Sequence, residues 1–105
     1  MDYKTFAALA EPTRFRIIDL LRQQPFAVSE FSSHLKIRQP QVSKHLRILN
    51  DVGLVNVKPN AQQRIYSLNH DAFIELDKWI KSFDKVWSNR LDNLDVYLRS
   101  MNKKG

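Results

Sequence analysis

The chain has 105 residues, 43% of them hydrophobic, with no cysteine and a formal net charge of +6. That length leaves room for one domain that can build a core without staples, and the missing cysteines exclude disulfides, zinc–thiolate sites and thiol redox sensing. The N-terminus has no apolar leader and no run approaches the length of a membrane span, so a cytoplasmic protein with no membrane partner is expected.

Residues 2–10 read as a short helix with Tyr3, Phe6, Ala7 and Ala10 on one face. Pro12 opens a second helix, roughly Thr13 to Gln23, at a position where proline is tolerated. This helix buries Ile17, Ile18 and Leu21 with the aliphatic stem of Arg14, and it stops near Pro25. Val28, Phe31 and Leu35 at i, i+3, i+7 predict a third short helix, and Lys36-Ile37-Arg38 is a tight link to the next.

Gln39 to Leu49 is the most informative stretch. At ~100° per residue, Val42, Leu46 and Leu49 stack on one side as a buried stripe. Pro40, Ser43, Lys44 and Arg47 point the other way, flanked by Gln41 and Ile48. No carboxylate stands among them, whereas a face kept only for solubility mixes both signs. A face that enters a DNA groove needs amides and cations for base edges and is repelled by phosphate if it carries carboxylates. Two short helices joined by a tight turn make a helix-turn-helix, whose second helix docks in the major groove.

Downstream, Leu54 to Lys58 and Arg64 to Leu68 are β-branched or aromatic runs around a Pro59-Asn60 turn signal, which predicts a hairpin. The last helix, Asp71 to about Met101, has no Pro or Gly. Phe73, Leu76, Ile80, Phe83, Trp87, Leu94, Tyr97 and Met101 recur at 3–4 spacing with Arg90 as a polar intruder, and Ala72, Trp79 and Val86 form a second stripe. A helix with two apolar stripes has two partners to satisfy, most simply its own domain and a second copy of the chain. Opposite charges at helical spacing, Asp77 with Lys81 and Asp95 with Arg99, lace its polar side. Residues 102–105 read as a frayed end.

Charge is concentrated in the middle. Residues 1–33 are neutral and residues 71–101 carry −1, while residues 34–66 carry Lys36, Arg38, Lys44, Arg47, Lys58 and Arg64 against Asp51 alone. Such a localised excess is the footprint of a nucleic-acid binder. The expected architecture is mainly α with a small β-hairpin, a winged helix-turn-helix in the order α-α-α-α-β-β-α. It forms one domain over residues 1–105, with the helix-turn-helix at about 28–50, the wing at about 54–68 and a dimerisation helix at about 71–101.

With these elements in place the chain resembles the ArsR-type winged-helix repressors over about residues 5–98. Leu9-Ala10-Glu11-Pro12-Thr13-Arg14 followed by Ile17 to Leu21 is similar to that family's second helix, and Val28 to Phe31 with Leu35 to its third. Gln39 to Leu49 is very close to its recognition helix, and Gly53-Leu54-Val55 with Arg64 to Leu68 is similar to its wing. The resemblance implies a homodimer that represses transcription from a palindromic operator, with double-stranded DNA as partner. Arg38 stands where the family usually has a small hydroxyl residue, so the cap of the recognition helix must come from elsewhere. The wing tip, Asn60-Ala61-Gln62-Gln63, lacks the usual glycine, which leaves Asn60 to supply any positive φ.

Face analysis and resemblance together assign Gln39, Gln41, Ser43 and Lys44 to base edges, and Arg38, His45, Arg47, Lys58 and Arg64 to phosphate. Tyr3, Phe6, Phe83, Trp87, Leu91, Leu94 and Leu98 are expected at the dimer interface. Metal-responsive members place cysteines in the third helix or Asp/His pairs along the last; here the third helix has Ser29, Phe31 and Ser32, and the last has no histidine. His34, His45 and His70 are scattered, so no metal site and no cofactor is expected. Trp79, Trp87, Leu91 and Leu94 instead follow a spacing similar to the family's metal-independent branch. Tyr3, Phe6, Phe73, Trp79, Phe83 and Trp87 either fill core and interface or admit an apolar ligand or partner protein. Catalysis has no support, since Ser43 and His45 at i, i+2 face different sides of a helix. An architectural protein that coats DNA with little sequence preference uses the same basic face, as does a winged-helix adaptor that binds another protein; the amides beside the cations and the concentrated charge argue against both.

Overall fold

Helix α1 (Tyr3–Ala10) starts at Asp2, whose carboxylate accepts from the Lys4 N–H at 3.1 Å. Helix α2 (Pro12–Leu21) follows after one residue. Proline at the first helical position gives up no needed donor, and the Glu11 carboxylate accepts from the Arg14 N–H at 2.8 Å. A short strand β1 (Phe26–Ala27) precedes α3 (Val28–Leu35), then come α4 (Gln39–Asp51), β2 (Val55–Asn60), β3 (Gln63–Leu68) and α5 (His70–Lys103). This computed structural model describes residues 2–103, of which the side chains of Asp92, Asn93, Asp95 and residues 100–103 fall outside the description. The expected Asp95–Arg99 pair, the place of Met101 in the apolar stripe and the frayed end therefore lie outside the described residues.

Strand β1 is an addition to the expected order. It is one of the two outer strands of a three-stranded antiparallel sheet, β1-β3-β2, with Phe26 opposite Tyr66 and Ala27 opposite Ile65. Strands β2 and β3 pair from Val55↔Leu68 to Asn60↔Gln63. Pro59 and Asn60 are thus ladder residues rather than the turn, which is the two-residue link Ala61-Gln62. The positive φ falls on Ala61 (57°), not on Asn60, because the ladder keeps Asn60 extended opposite Gln63.

The core lies between α2, α3, α4 and the sheet. Ile17, Phe31, Val42, Leu46, Leu49 and Leu54 have no exposure, and Phe26 meets Phe31 edge-to-face at 5.2 Å. On α1 the side facing this core carries Thr5 and Ala8, so the face of Tyr3, Ala7 and Ala10 is left exposed. The described residues group into two units, the first ending at Phe73 and the second beginning at Ile74 within α5.

Two left-handed residues end helices here. Gly53 (φ 83°) closes α4, with its N–H on Asn50 O and the Leu54 N–H on Leu49 O, both 3.0 Å. A side chain at Gly53 would meet nothing within 4 Å, so the requirement is the backbone angle itself. Lys36 closes α3 at φ 57°, ψ 41°, its N–H on Ser32 O at 2.9 Å, while the Ser32 hydroxyl donates to Ile37 O.

A non-glycine residue in this region costs about 1–2 kcal/mol, partly offset by the stiffer unfolded chain. Lys36→Gly is therefore expected to raise unfolding stability by roughly 0.5 kcal/mol, read as a higher urea midpoint at unchanged slope. A midpoint that falls would show that the lysine side chain contributes more at this turn than its backbone angle costs.

Candidate nucleic-acid interface

Helix α4 is built as two unlike halves. Val42, Leu46 and Leu49 are fully buried, and Gln39, Pro40, Gln41, Ser43, Lys44 and Arg47 are all exposed. Arg38 takes the cap position with extended backbone and makes no side-chain cap bond. The expectation of a cap from elsewhere is replaced by a simpler arrangement. A capping side chain serves the second or third N–H; here the second belongs to Pro40, which has none, and the Gln41 N–H is taken by Arg38 O at 3.0 Å.

The wing stands beside this helix. Ser43, Lys44 and Arg47 share one cleft of about 510 Å³ with Val57, Arg64 and Tyr66 of the hairpin. Val57 and Tyr66 are opposite one another in the ladder, and Arg64 lies two residues from Tyr66 on the same face. Lys58 pairs with Ile65 one step along, so alternation puts it on the other face of the hairpin, away from this cleft. A second recess of about 360 Å³ joins Gln39, Ser43 and Arg64 to Ser29, Gln62 and Gln63.

Four of these lining residues extend the sequence-based set. Ser29, Gln62 and Gln63 add a hydroxyl and two amides near Arg64, and Asn50 lines the larger cleft. The polar tip Asn60-Ala61-Gln62-Gln63 was the available signal for the amides. Asp51 also lines the larger cleft, the one carboxylate among its lining residues.

His45 is placed differently from the cations it was grouped with. It is half-buried, its Nδ1 3.3 Å from Arg14 Nη1 and 3.6 Å from Glu11 Oε2. Arg14 in turn donates through Nε to Ala8 O at 2.7 Å. Burial alone would raise the Glu11 pKa, but N–H bonds from Arg14 and Thr13 and the charges of His45 and Arg14 hold it below its ordinary 4.5. His34 is exposed on α3. His70, expected to precede the last helix, is instead its first residue and is exposed, because the helix opens one residue earlier than its apolar spacing suggests. Among the described residues no three His, Asp or Glu side chains gather as a metal site would need.

From Ile74 onward α5 presents apolar side chains to solvent. Trp79, Ile80, Phe83, Val86, Trp87, Leu91, Leu94, Tyr97 and Leu98 are 40–61% exposed, and at 100° per residue they fill an arc of roughly 140°. Trp79 and Phe83 meet edge-to-face at 4.9 Å, and Lys81 pairs with Asp77 at 3.0 Å. No helix among the described residues is long and apolar enough to cross a membrane.

Comparison with known proteins places this geometry. Residues 11–57 match the family described as bacterial regulatory protein, arsR family. The transcriptional repressor SdpR of Bacillus subtilis is 30% identical over 86 residues, 82% of this chain and 96% of SdpR. A crystal structure of an ArsR family transcriptional regulator superposes with a TM-score of 0.73 at 26% identity, covering 82% of this chain and 94% of that one. The transcriptional activator HlyU of Vibrio cholerae superposes with a TM-score of 0.63 at 33% identity, covering 74% of this chain and 88% of its own.

The Glu11 environment makes a pH prediction. A carboxylate with a depressed folded pKa binds protons more weakly folded than unfolded, so its contribution is complete above 4.5 and is lost as pH falls through the folded value. Glu11→Gln should thus be less stable than the natural chain at neutral pH, and the gap should close as pH falls below 4.5. Urea melts of both proteins across that range measure it; a gap that stays constant or widens in acid contradicts the assignment.

Proposed function

Because the chain belongs to the arsR family of bacterial regulatory proteins, we propose that it is a sequence-specific transcription regulator that works in the cytoplasm as a homodimeric repressor on a palindromic operator, without a metal effector. The observation that carries this reading is the outer face of α4: amides, a hydroxyl and cations exposed over a fully buried stripe, with a basic wing beside it. Gln39, Gln41, Ser43 and Lys44 read base edges in the major groove, where amides and cations match the donor and acceptor pattern. Arg38, Arg47 and Arg64 hold phosphate, and Lys58 reaches the backbone from the far face of the hairpin.

The exposed arc of α5 supports the dimer, since an apolar face of this length is covered most simply by the same face of a second copy. Trp87, Leu91, Leu94 and Leu98 join subunits along it with Phe83, and exposed Tyr3 with Phe6 offers a further patch. Two recognition helices then sit ~34–36 Å apart, one on each half-site. The repressor reading follows SdpR, matched over nearly all of its length; HlyU is named an activator, and the sign of control depends on where the operator lies. Metal independence is supported by the absence of cysteine from the chain and of a ligand cluster among the described residues.

Selection of bound duplexes from random DNA is expected to yield a palindrome. Gln41→Ala should then cost ~1–3 kcal/mol and relax one base position, while Arg64→Ala weakens all sequences alike and lowers the salt slope by about one. Equimolar zinc, nickel or copper should leave the complex intact. Unchanged affinity and preference in Gln41→Ala defeats the groove assignment, and metal-driven release reversed by a chelator defeats metal independence.

Truncation after Phe83 should give a monomeric or aggregating chain with nonspecific DNA affinity only, measured by sedimentation and by binding to the selected palindrome. Tight palindrome binding by the truncated chain would sink the dimer.

A further inference from the structure

Three side chains that the DNA-reading face does not use meet beside it. Arg14 has only protons to offer, so the 3.3 Å contact of its Nη1 with His45 Nδ1 requires that nitrogen to accept. The ring in this contact is therefore neutral, with its proton on Nε2. Glu11 Oε2 lies 3.6 Å from the same Nδ1 and accepts from the Arg14 backbone N–H at 2.8 Å. A proton added at Nδ1 abolishes the acceptor, repels the guanidinium and creates a donor for the carboxylate. One nitrogen thus has two alternative neighbours, and its proton selects between them.

The surroundings allow this to act on the reading face. His45 borders a recess of about 410 Å³ together with Gln41 and Lys44, and the α2 side of that recess is Thr13 and Arg14. The charged groups facing the ring are Arg14 of α2, Glu11 at its cap and Lys44 of α4 itself. The α3–α4 link contributes only Ile37, and α1 contributes the Ala8 carbonyl through Arg14. Glu11 is ionised throughout the range in which an imidazole changes charge, so the alternative acceptor is always ready.

We propose that His45 is a proton-controlled positioning residue of the recognition helix, whose place the core fixes: neutral, it is tied to Arg14 and keeps the neighbouring side chains of Gln41 and Lys44 in reading rotamers; charged, it turns to Glu11 and that side-chain placement is lost. The idea rests on the DNA-reading role proposed above. Its signature is a split between two quantities. Acid adds a cation beside the groove and so strengthens binding to any DNA, while the advantage of the selected palindrome over scrambled DNA falls.

The test measures affinity for both duplexes at fixed salt from about pH 8 to about pH 5.5. In the natural chain the palindrome-to-scrambled ratio should fall roughly three- to tenfold, within the range that residues acting through others impose on coupled sites. His45→Gln, which keeps a neutral hydrogen-bonding group, should make the ratio insensitive to pH. Glu11→Gln, which retains the cap acceptor without the charge, should change the pH response in the natural background and have no effect on the ratio in the His45→Gln background. A flat ratio in the natural chain overturns the proposal without needing any variant to fold. So does a pH response that survives His45→Gln, or a Glu11→Gln effect of equal size in both backgrounds. If no sequence is enriched at pH 8 while the chain is folded, the DNA-reading role itself has failed, and that result is distinct from a flat ratio.

Discussion

The exposed face of α4 proposed to read DNA depends on Val42, Leu46 and Leu49 being sealed from water. A helix free to rotate by one residue would swing its side chains through 100°, bringing this stripe into solvent and Ser43, Arg47 and Asn50 into the core. Each buried side chain of that kind is worth roughly 1.5–3 kcal/mol, so the three together fix the rotation of α4 far more strongly than any surface contact does. The rotation in turn fixes the exposed face. Neither Ser43 nor Lys44 needs a partner of its own to point outward, because their opposite numbers along the helix are held inward. Phe31 and Leu35 of α3 and Leu54 after the helix belong to the same sealed core, which ties α4 to its neighbours. The wing is linked to that core by Val55 and Tyr66, so Arg64 is carried on a strand that the core also positions.

Most of this was legible because it rests on periodicity, which needs only local sequence. Val42, Leu46 and Leu49 follow the spacing of a helix against a core, and the boundaries of α3 and α4 follow from breakers and apolar positions alone. Strand β1 was not legible, since two residues carry no period; Phe26 and Ala27 become a strand only by pairing with Tyr66 and Ile65, far away in the chain. The hairpin turn shifted for a related reason. Pro59-Asn60 has the composition of a turn, yet extending the ladder to Asn60↔Gln63 leaves Ala61 to take the left-handed angle.

The candidate site was legible by class of residue and less so by direction. Ser43, Lys44, Arg47 and Arg64 do meet at one cleft, as a one-sided helix beside a basic hairpin implies. Lys58 and His45 depart from the group because charge alone does not say which way a side chain turns. Strand alternation sends Lys58 to the other face, and Arg14 and Glu11 hold His45 on the flank. Those two partners come from the N-cap and the first turn of α2, a long-range meeting that no spacing within Gln39 to Leu49 announces. Asp51 is the opposite case: it stands four residues after Arg47 on the same helix and lines the cleft with Arg47 and Arg64.

The exposed aromatic and aliphatic arc of α5 bears on how the proposed regulator would respond to its own abundance. A surface covered only by a second copy makes the competent species a matter of mass action, so the stability of that species rises with chain concentration. Below the dissociation constant of the pair, the amount of dimer grows as the square of the amount of chain. Occupancy of a two-half-site operator then follows a curve steeper than simple saturation, and a modest fall in synthesis empties the site. Dilution by cell growth would act in the same direction, making expression level itself the signal to which the gene would respond.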